Sequence, residues 1–156
     1  TLKVSRFSAG DCRPLAGAQV DLWHCDALGV YSDVRDPGFN TIGQKFLRGY
    51  QLTDGQGEAR FVTVYPGWYP VRTVHIHFKI RAEGAARRAY EFTSQLYFDE
   101  ATTAQVHKQA PYDSKAGRPT PNDRDFLFRR GGKDLLLAPA KLSDGYAAKF
   151  DIGLKL

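Results

Sequence analysis

Apolar and polar residues alternate along much of this chain with a period of two, the spacing that sends successive side chains to opposite faces of a strand. Between Gly17 and Cys25, Ala18, Val20, Leu22 and His24 share one face, against Gln19, Asp21, Trp23 and Cys25 on the other. The same alternation runs through Gly57–Tyr65, through Thr73–Ile80 and through Arg88–Phe98. It is clearest at the end, where Tyr146, Ala148, Phe150, Ile152 and Leu154 line one face. Turn signals fall between these runs at Asp54-Gly55, Gln56-Gly57, Pro66-Gly67, Glu83-Gly84, Gly131-Gly132 and Asp144-Gly145. A helical pattern occurs once, in Asp99–Tyr112, with Asp99 as cap and Pro111 as stop. Tyr112–Arg124, rich in Pro, Asp, Gly and Asn, reads as loop. The expectation is an all-β fold: an antiparallel β-sandwich core with one short helix and long loops that carry the site. It spans 1–156 as a single domain, a length suited to one core.

Composition narrows the picture. At 42% hydrophobic and 25% charged the chain is ordinary for a globular protein, and no run is long and apolar enough for a membrane helix. The net charge of +5 comes from small basic groups such as Arg87-Arg88 and Arg129-Arg130, interrupted throughout by acids. No nucleic-acid motif accompanies them, so neither a nucleic-acid nor a membrane partner is expected. The two cysteines, Cys12 and Cys25, cannot close a zinc site. They are either free thiols or one disulfide. Pairing is the expectation, stabilising by about 3 kcal/mol and pointing to an oxidising compartment.

The chemistry gathers around His75 and His77. Both lie on one face of the Thr73–Ile80 strand, about 6–7 Å apart at their Cα atoms, with Val74, Ile76, Phe78 and Ile80 turned to the core. Imidazole is the commonest neutral metal ligand, so a His-x-His strand invites a metal reading. Tyr69 precedes it in a Pro-Gly turn, Arg72 lies three positions before His75, and Tyr31 follows an early strand. Gln95 lies on the same face as Thr93 and Tyr97 in a later strand.

With those residues in order, the chain resembles the intradiol ring-cleavage dioxygenases, a family of non-haem Fe(III) enzymes. "PLAGAQVDLWHCDALGVYS" is similar to the family segment with the first tyrosine ligand, and "TDGQGEARFVTVYPGWYP" to that with the second. "RTVHIHFKI" matches its Arg-x-x-His-x-His signature, and "TSQLYF" its glutamine-bearing strand. The resemblance implies iron ligands Tyr31, Tyr69, His75 and His77. It gives Arg72 the role of stabilising negative charge developing on the substrate, Gln95 a hydrogen bond to substrate, and Tyr69 a second role as base. Trp68, Asp26, Leu28 and Val71 are pocket candidates by their nearness to the ligands. The implied reaction uses O2 to cleave a catechol-type ring between its hydroxyl-bearing carbons, giving a muconate-type diacid. Ligand chemistry agrees: phenolates are hard anionic donors, and a bound cation lowers their pKa from an ordinary value of about 10. Two phenolates and a hydroxide balance a 3+ charge, unlike the two-His, one-carboxylate Fe(II) pattern.

Nothing ahead of Asp11 matches the helical amino-terminal segment of the familiar catechol dioxygenases, and the turn from Tyr69 to Arg72 is short. A monomer with an open iron site is therefore expected. The absence of methionine, the Thr1 start and the expected disulfide favour an extracellular, secreted setting, with the cytoplasm as runner-up. Two other readings compete. One is a non-catalytic transthyretin-like or carbohydrate-binding β-sandwich module, which the "PLAGA…TDGQG" frame allows. The other is a zinc hydrolase built on His75, His77 and a carboxylate, for which no His-Glu-x-x-His pattern exists.

Overall fold

Two sheets, face to face, place the alternating residues as their period demands. The structure, a computed structural model, describes residues 1–8, 11–83 and 89–156. Its strands are β1 (Leu2–Ser8), β2 (Asp11–Pro14), β3 (Gln19–Trp23), β4 (Arg35–Asp36), β5 (Phe39–Asn40), β6 (Arg48–Leu52), β7 (Glu58–Ala59), β8 (His75–Glu83), β9 (Ala89–Tyr97), β10 (Ala140–Lys141), β11 (Tyr146–Ala147) and β12 (Phe150–Lys155). One α-helix, α1 (Glu100–Val106), follows β9. One sheet runs β6-β3-β8-β9, antiparallel throughout. The other runs β12-β1-β2, with β7 also paired to β1. Here the antiparallel expectation needs a correction: β1 and β12, from opposite ends of the chain, pair in parallel.

The core lies between the sheets. Val20, Phe78 and Ile80 from one and Val4 from the other are fully buried, in one cluster with Leu2, Leu96 and Leu154. Each such side chain contributes about 1.5–3 kcal/mol. The face of β8 opposite this core carries His75 and His77, and register places His77 beside Trp23 of β3 and Gln95 of β9. The site is thus built on the outer face of the best-paired sheet.

Several expectations are corrected. The alternation of Gly57–Tyr65 becomes only the two-residue β7. Beyond it Phe61 and Tyr65 pack against the core, Val62 is fully exposed, and Thr63 Oγ1 bonds His24 Nε2 instead of joining a ladder. The helix does start at Asp99, whose carboxylate accepts from Thr102 N, but it ends at Val106, well before Pro111. Parts of the Tyr112–Arg124 loop form single 3-10 turns at Tyr112–Ser114 and Asn122–Arg124. Cys12 and Cys25 are not bonded: Cys12 is exposed on β2 of one sheet, and Cys25 is buried just past β3 of the other. Burial pushes the Cys25 thiol up to about 12, making it inert. The Arg87-Arg88 pair and Gly84 of the Glu83-Gly84 signal lie outside the described residues. Among the described residues no helix is long and apolar enough to cross a membrane.

Candidate metal centre

The histidines arrive on a strand and the tyrosines on loops. Thr73 O accepts from His75 Nδ1 at 2.6 Å, which fixes the tautomer and leaves Nε2 aimed outward with its lone pair free. Around His75 Nε2 lie His77 Nε2 at 3.1 Å, Tyr69 Oη at 3.1 Å and Tyr31 Oη at 3.5 Å. Trp23 stacks on the His77 ring, 4.9 Å between centroids and 2° from parallel, and so holds its plane.

The Tyr31 loop is shaped by Asp26, whose carboxylate accepts from the amides of Leu28 and Val30. Thr41 Oγ1 donates to Tyr31 O at 2.6 Å, and Arg48 holds Ser32 through its hydroxyl and its carbonyl. The Tyr69 loop is pinned by Gly67 N to Asp26 O, by Tyr112 Oη to Tyr65 O and by His107 Nε2 to Pro66 O. Lys115 joins the two loops: its ammonium donates to Leu28 O and Trp68 O, both at 2.6 Å, and sits 4.5 Å over the Trp68 ring. Gly29, at φ +87°, lets them touch; a Cβ there would lie 2.0 Å from Trp68 O.

Arg72 follows Val71, a β-branched residue at φ +66° and 77% exposed. Its Nε donates to Asp125 Oδ2 at 2.8 Å, and its Nη2 donates to Gln95 Oε1. Asp125 is fully buried and also accepts from the amides of Thr73, Leu127 and Phe128. Burial works to raise this carboxyl but is outweighed by the Phe128 amide, the Arg72 guanidinium and the Thr73 amide, so it stays below the usual range. Because a guanidinium only donates, Gln95 must turn its oxygen to Arg72. Tyr97 Oη donates to the same oxygen, and the Gln95 amide nitrogen then lies 3.3 Å from His77 Nδ1.

The electrostatics suit a cation. Burial lowers His75 to about 4; burial together with His75 and Arg72 lowers His77 to about 3. Both imidazoles are therefore neutral at pH 7 and free to ligate. Burial raises the Tyr31 phenol far above its ordinary value, with Tyr69 adding to the shift. It raises Tyr69 as well, partly offset by the Tyr31 hydroxyl and by Arg72. Only a strongly charged ion at their oxygens makes these groups phenolates.

Donor spacing and donor chemistry both fit such an ion. Metal–donor bonds of about 2.0–2.2 Å put neighbouring donors about 3 Å apart, the spacing found here. Among the described residues no group of three or more His, Cys, Asp or Glu could hold a metal. The cluster depends on its phenols. That donor set favours ferric iron over zinc or Fe(II).

Of the pocket candidates, Trp68 lines the loop junction beside Lys115, while Leu28 (43% exposed) and Val71 are at the surface. Asp26 spends its carboxylate on its own loop. His24 is buried between Cys25 O and Thr63 Oγ1, a supporting role. His107 caps α1 and anchors the Tyr69 loop. Sequence reasoning missed Trp23, Lys115 and Asp125. Pairing β3 with β8 in register would have exposed Trp23; Lys115 and Asp125 carry no local signal.

Comparison with known proteins identifies the class. A family model described as a dioxygenase matches residues 4–110. The chain belongs to the intradiol ring-cleavage dioxygenase family. It is 32% identical to the chlorocatechol 1,2-dioxygenase of Pseudomonas putida over 103 residues, 54% of this chain and 36% of that protein. It therefore matches well under half the length of such relatives. Among solved structures, an intradiol ring-cleavage dioxygenase from Tetranychus urticae superposes with a TM-score of 0.84 at 29% identity, covering 99% of this chain and 79% of that one. The dioxygenase domain of a dioxygenase carbohydrate-binding protein fusion from Streptomyces sp. SirexAA-E gives 0.65 at 28% identity, covering 99% and 78%.

Proposed function

We propose that this chain is a non-haem Fe(III) intradiol dioxygenase core that cleaves catechol-type rings with O2 to muconate-type diacids. The observation that carries it is the convergence of Tyr31 Oη, Tyr69 Oη and His77 Nε2 on His75 Nε2 within 3.5 Å. These four residues would hold the iron, which supplies the charge that acidifies phenols and activates a bound catechol toward O2.

The chain's own groups do the rest. Thr73 O and the Trp23 ring orient the two imidazoles. Tyr69, on the loop nearer Arg72, would accept a proton at Oη from a substrate hydroxyl. Arg72 presents a fixed positive charge to anionic character on the ring, and preorganised charge of this kind is worth more than charge that must reorient. Gln95, held through its oxygen by Arg72 and Tyr97, would hydrogen-bond the substrate through its amide nitrogen. Leu28, Val71 and Phe126 are exposed apolar side chains on the segments that carry the site, and could contact a substituted ring. A non-catalytic module has no use for two half-buried phenols gathered on two imidazoles.

Oxygen uptake by the iron-loaded protein with a panel of ortho-dihydroxy aromatics tests the reading. Uptake of one O2 per ring with a diacid product is expected, and Tyr69→Phe should lower turnover about 10²–10⁴-fold. No uptake with any member of the panel overturns it.

A further inference from the structure

We infer that Asp125 is a positioning residue that sets the direction of the Arg72 guanidinium. The inference rests on the dioxygenase reading for its kinetic consequence, but not for its geometry.

Asp125 comes from the segment after α1, fifty-three residues from Arg72, and its side chain is completely buried. Its two oxygens divide the work. Oδ1 accepts from the amides of Leu127 and Phe128, which fixes the carboxylate to its own turn. Oδ2 accepts from Thr73 N at 2.9 Å and Arg72 Nε at 2.8 Å, which fixes the start of β8 and the arginine. Thr73 is the residue whose carbonyl orients His75. A guanidinium bound at Nε by a buried carboxylate has its plane set, and the adjacent Phe126 ring lies 5.6 Å from its carbon. The opposite edge of that plane then meets Gln95 Oε1.

A carboxylate is the group this position requires. Asparagine fits the same volume but offers one acceptor and one donor. Its NH2 must confront either the Arg72 and Thr73 donors or the Leu127 and Phe128 donors. Lysine at position 72 keeps the charge and loses the Nε–H that Asp125 reads.

The test compares Asp125→Asn with wild type in two forms. In the iron-loaded protein with catechol, kcat should fall about 10²-fold, while KM, iron content and the position of the visible band stay near wild type. In an Arg72→Gln background the same change should cost less than about twofold, since coupled residues are not additive. An equal loss in both backgrounds, or unchanged kcat, overturns the inference. Should Asp125→Asn not fold, Arg72→Lys serves: a comparable kcat loss in a folded, iron-retaining protein supports the inference, and wild-type turnover refutes it. In metal-free, nitrogen-15-labelled protein the Arg72 Nε–H should exchange slowly, and rapidly in Asp125→Asn; equal exchange in both is the contrary result. That readout holds even where wild type shows no ring cleavage, an outcome that would instead overturn the proposed function.

Discussion

The histidine half and the tyrosine half of this centre are held by opposite means. His75 and His77 lie on β8, paired through its described length with β9 and, at His77, with β3. Their spacing is set by the strand repeat and their rings by Thr73 O and Trp23. Tyr31 and Tyr69 sit on irregular chain that owes its shape to individual contacts: Asp26, Gly29, Thr41, His107 and Lys115. One half is a property of a sheet, which many bonds share. The other is a sum of fasteners, each of which can fail alone.

The largest effect should come from the ligands themselves. His77→Ala leaves the β8 ladder intact, because the side chain points away from the core, yet metal retention measured by elemental analysis should fall by more than the about 10–100-fold typical of a supporting residue. Retained iron would detach His77 from the centre. Next comes Gly29→Ala. Its positive φ and the 2.0 Å approach to Trp68 O leave no room for a methyl, so a loss of about 1–3 kcal/mol is expected in denaturant unfolding, along with weaker metal binding. Unchanged stability and binding would mean that the loops need not touch.

Lys115→Met sharpens the contrast further. It removes two charged hydrogen bonds between the loops, a loss of about 1.5–3 kcal/mol per bond at most, with partial exposure reducing it. Metal affinity should drop about tenfold. The control, Lys79→Met on the sheet, breaks an exposed pair with Glu91 and should stay within about 0.5 kcal/mol of wild type. Equal effects of the two would erase the distinction between fasteners and ladder. The smallest effect is Val71→Gly, which relieves a β-branched residue at φ +66°. Stability should hold or rise by up to about 1 kcal/mol; a clear loss would show that Val71 packs against something essential.

The same contrast explains what could be read from the sequence. His75 and His77 were legible because period-two alternation is a local property, and Asp99 because a cap acts within one turn; the role of Gln95 came from resemblance. Tyr31 and Tyr69 were recognisable by resemblance but not by pattern, since no repeat governs a loop. Asp125 and Lys115 were invisible: their roles depend on contacts across fifty-three and forty-seven residues. The Gly57–Tyr65 alternation misled because its neighbours in space offered it no edge beyond Ala59. The two cysteines misled because separation along the chain says nothing about which sheet each joins.

The central claim is that two phenolates and two imidazoles bind one ferric ion. The direct measurement is the visible absorption of the protein loaded with one equivalent of Fe(III), before and after addition of catechol. A broad, wine-red tyrosinate-to-iron charge-transfer band is expected, one that shifts with catechol and weakens in both Tyr31→Phe and Tyr69→Phe. A loaded protein without such a band, or one whose band survives both substitutions unchanged, would contradict it.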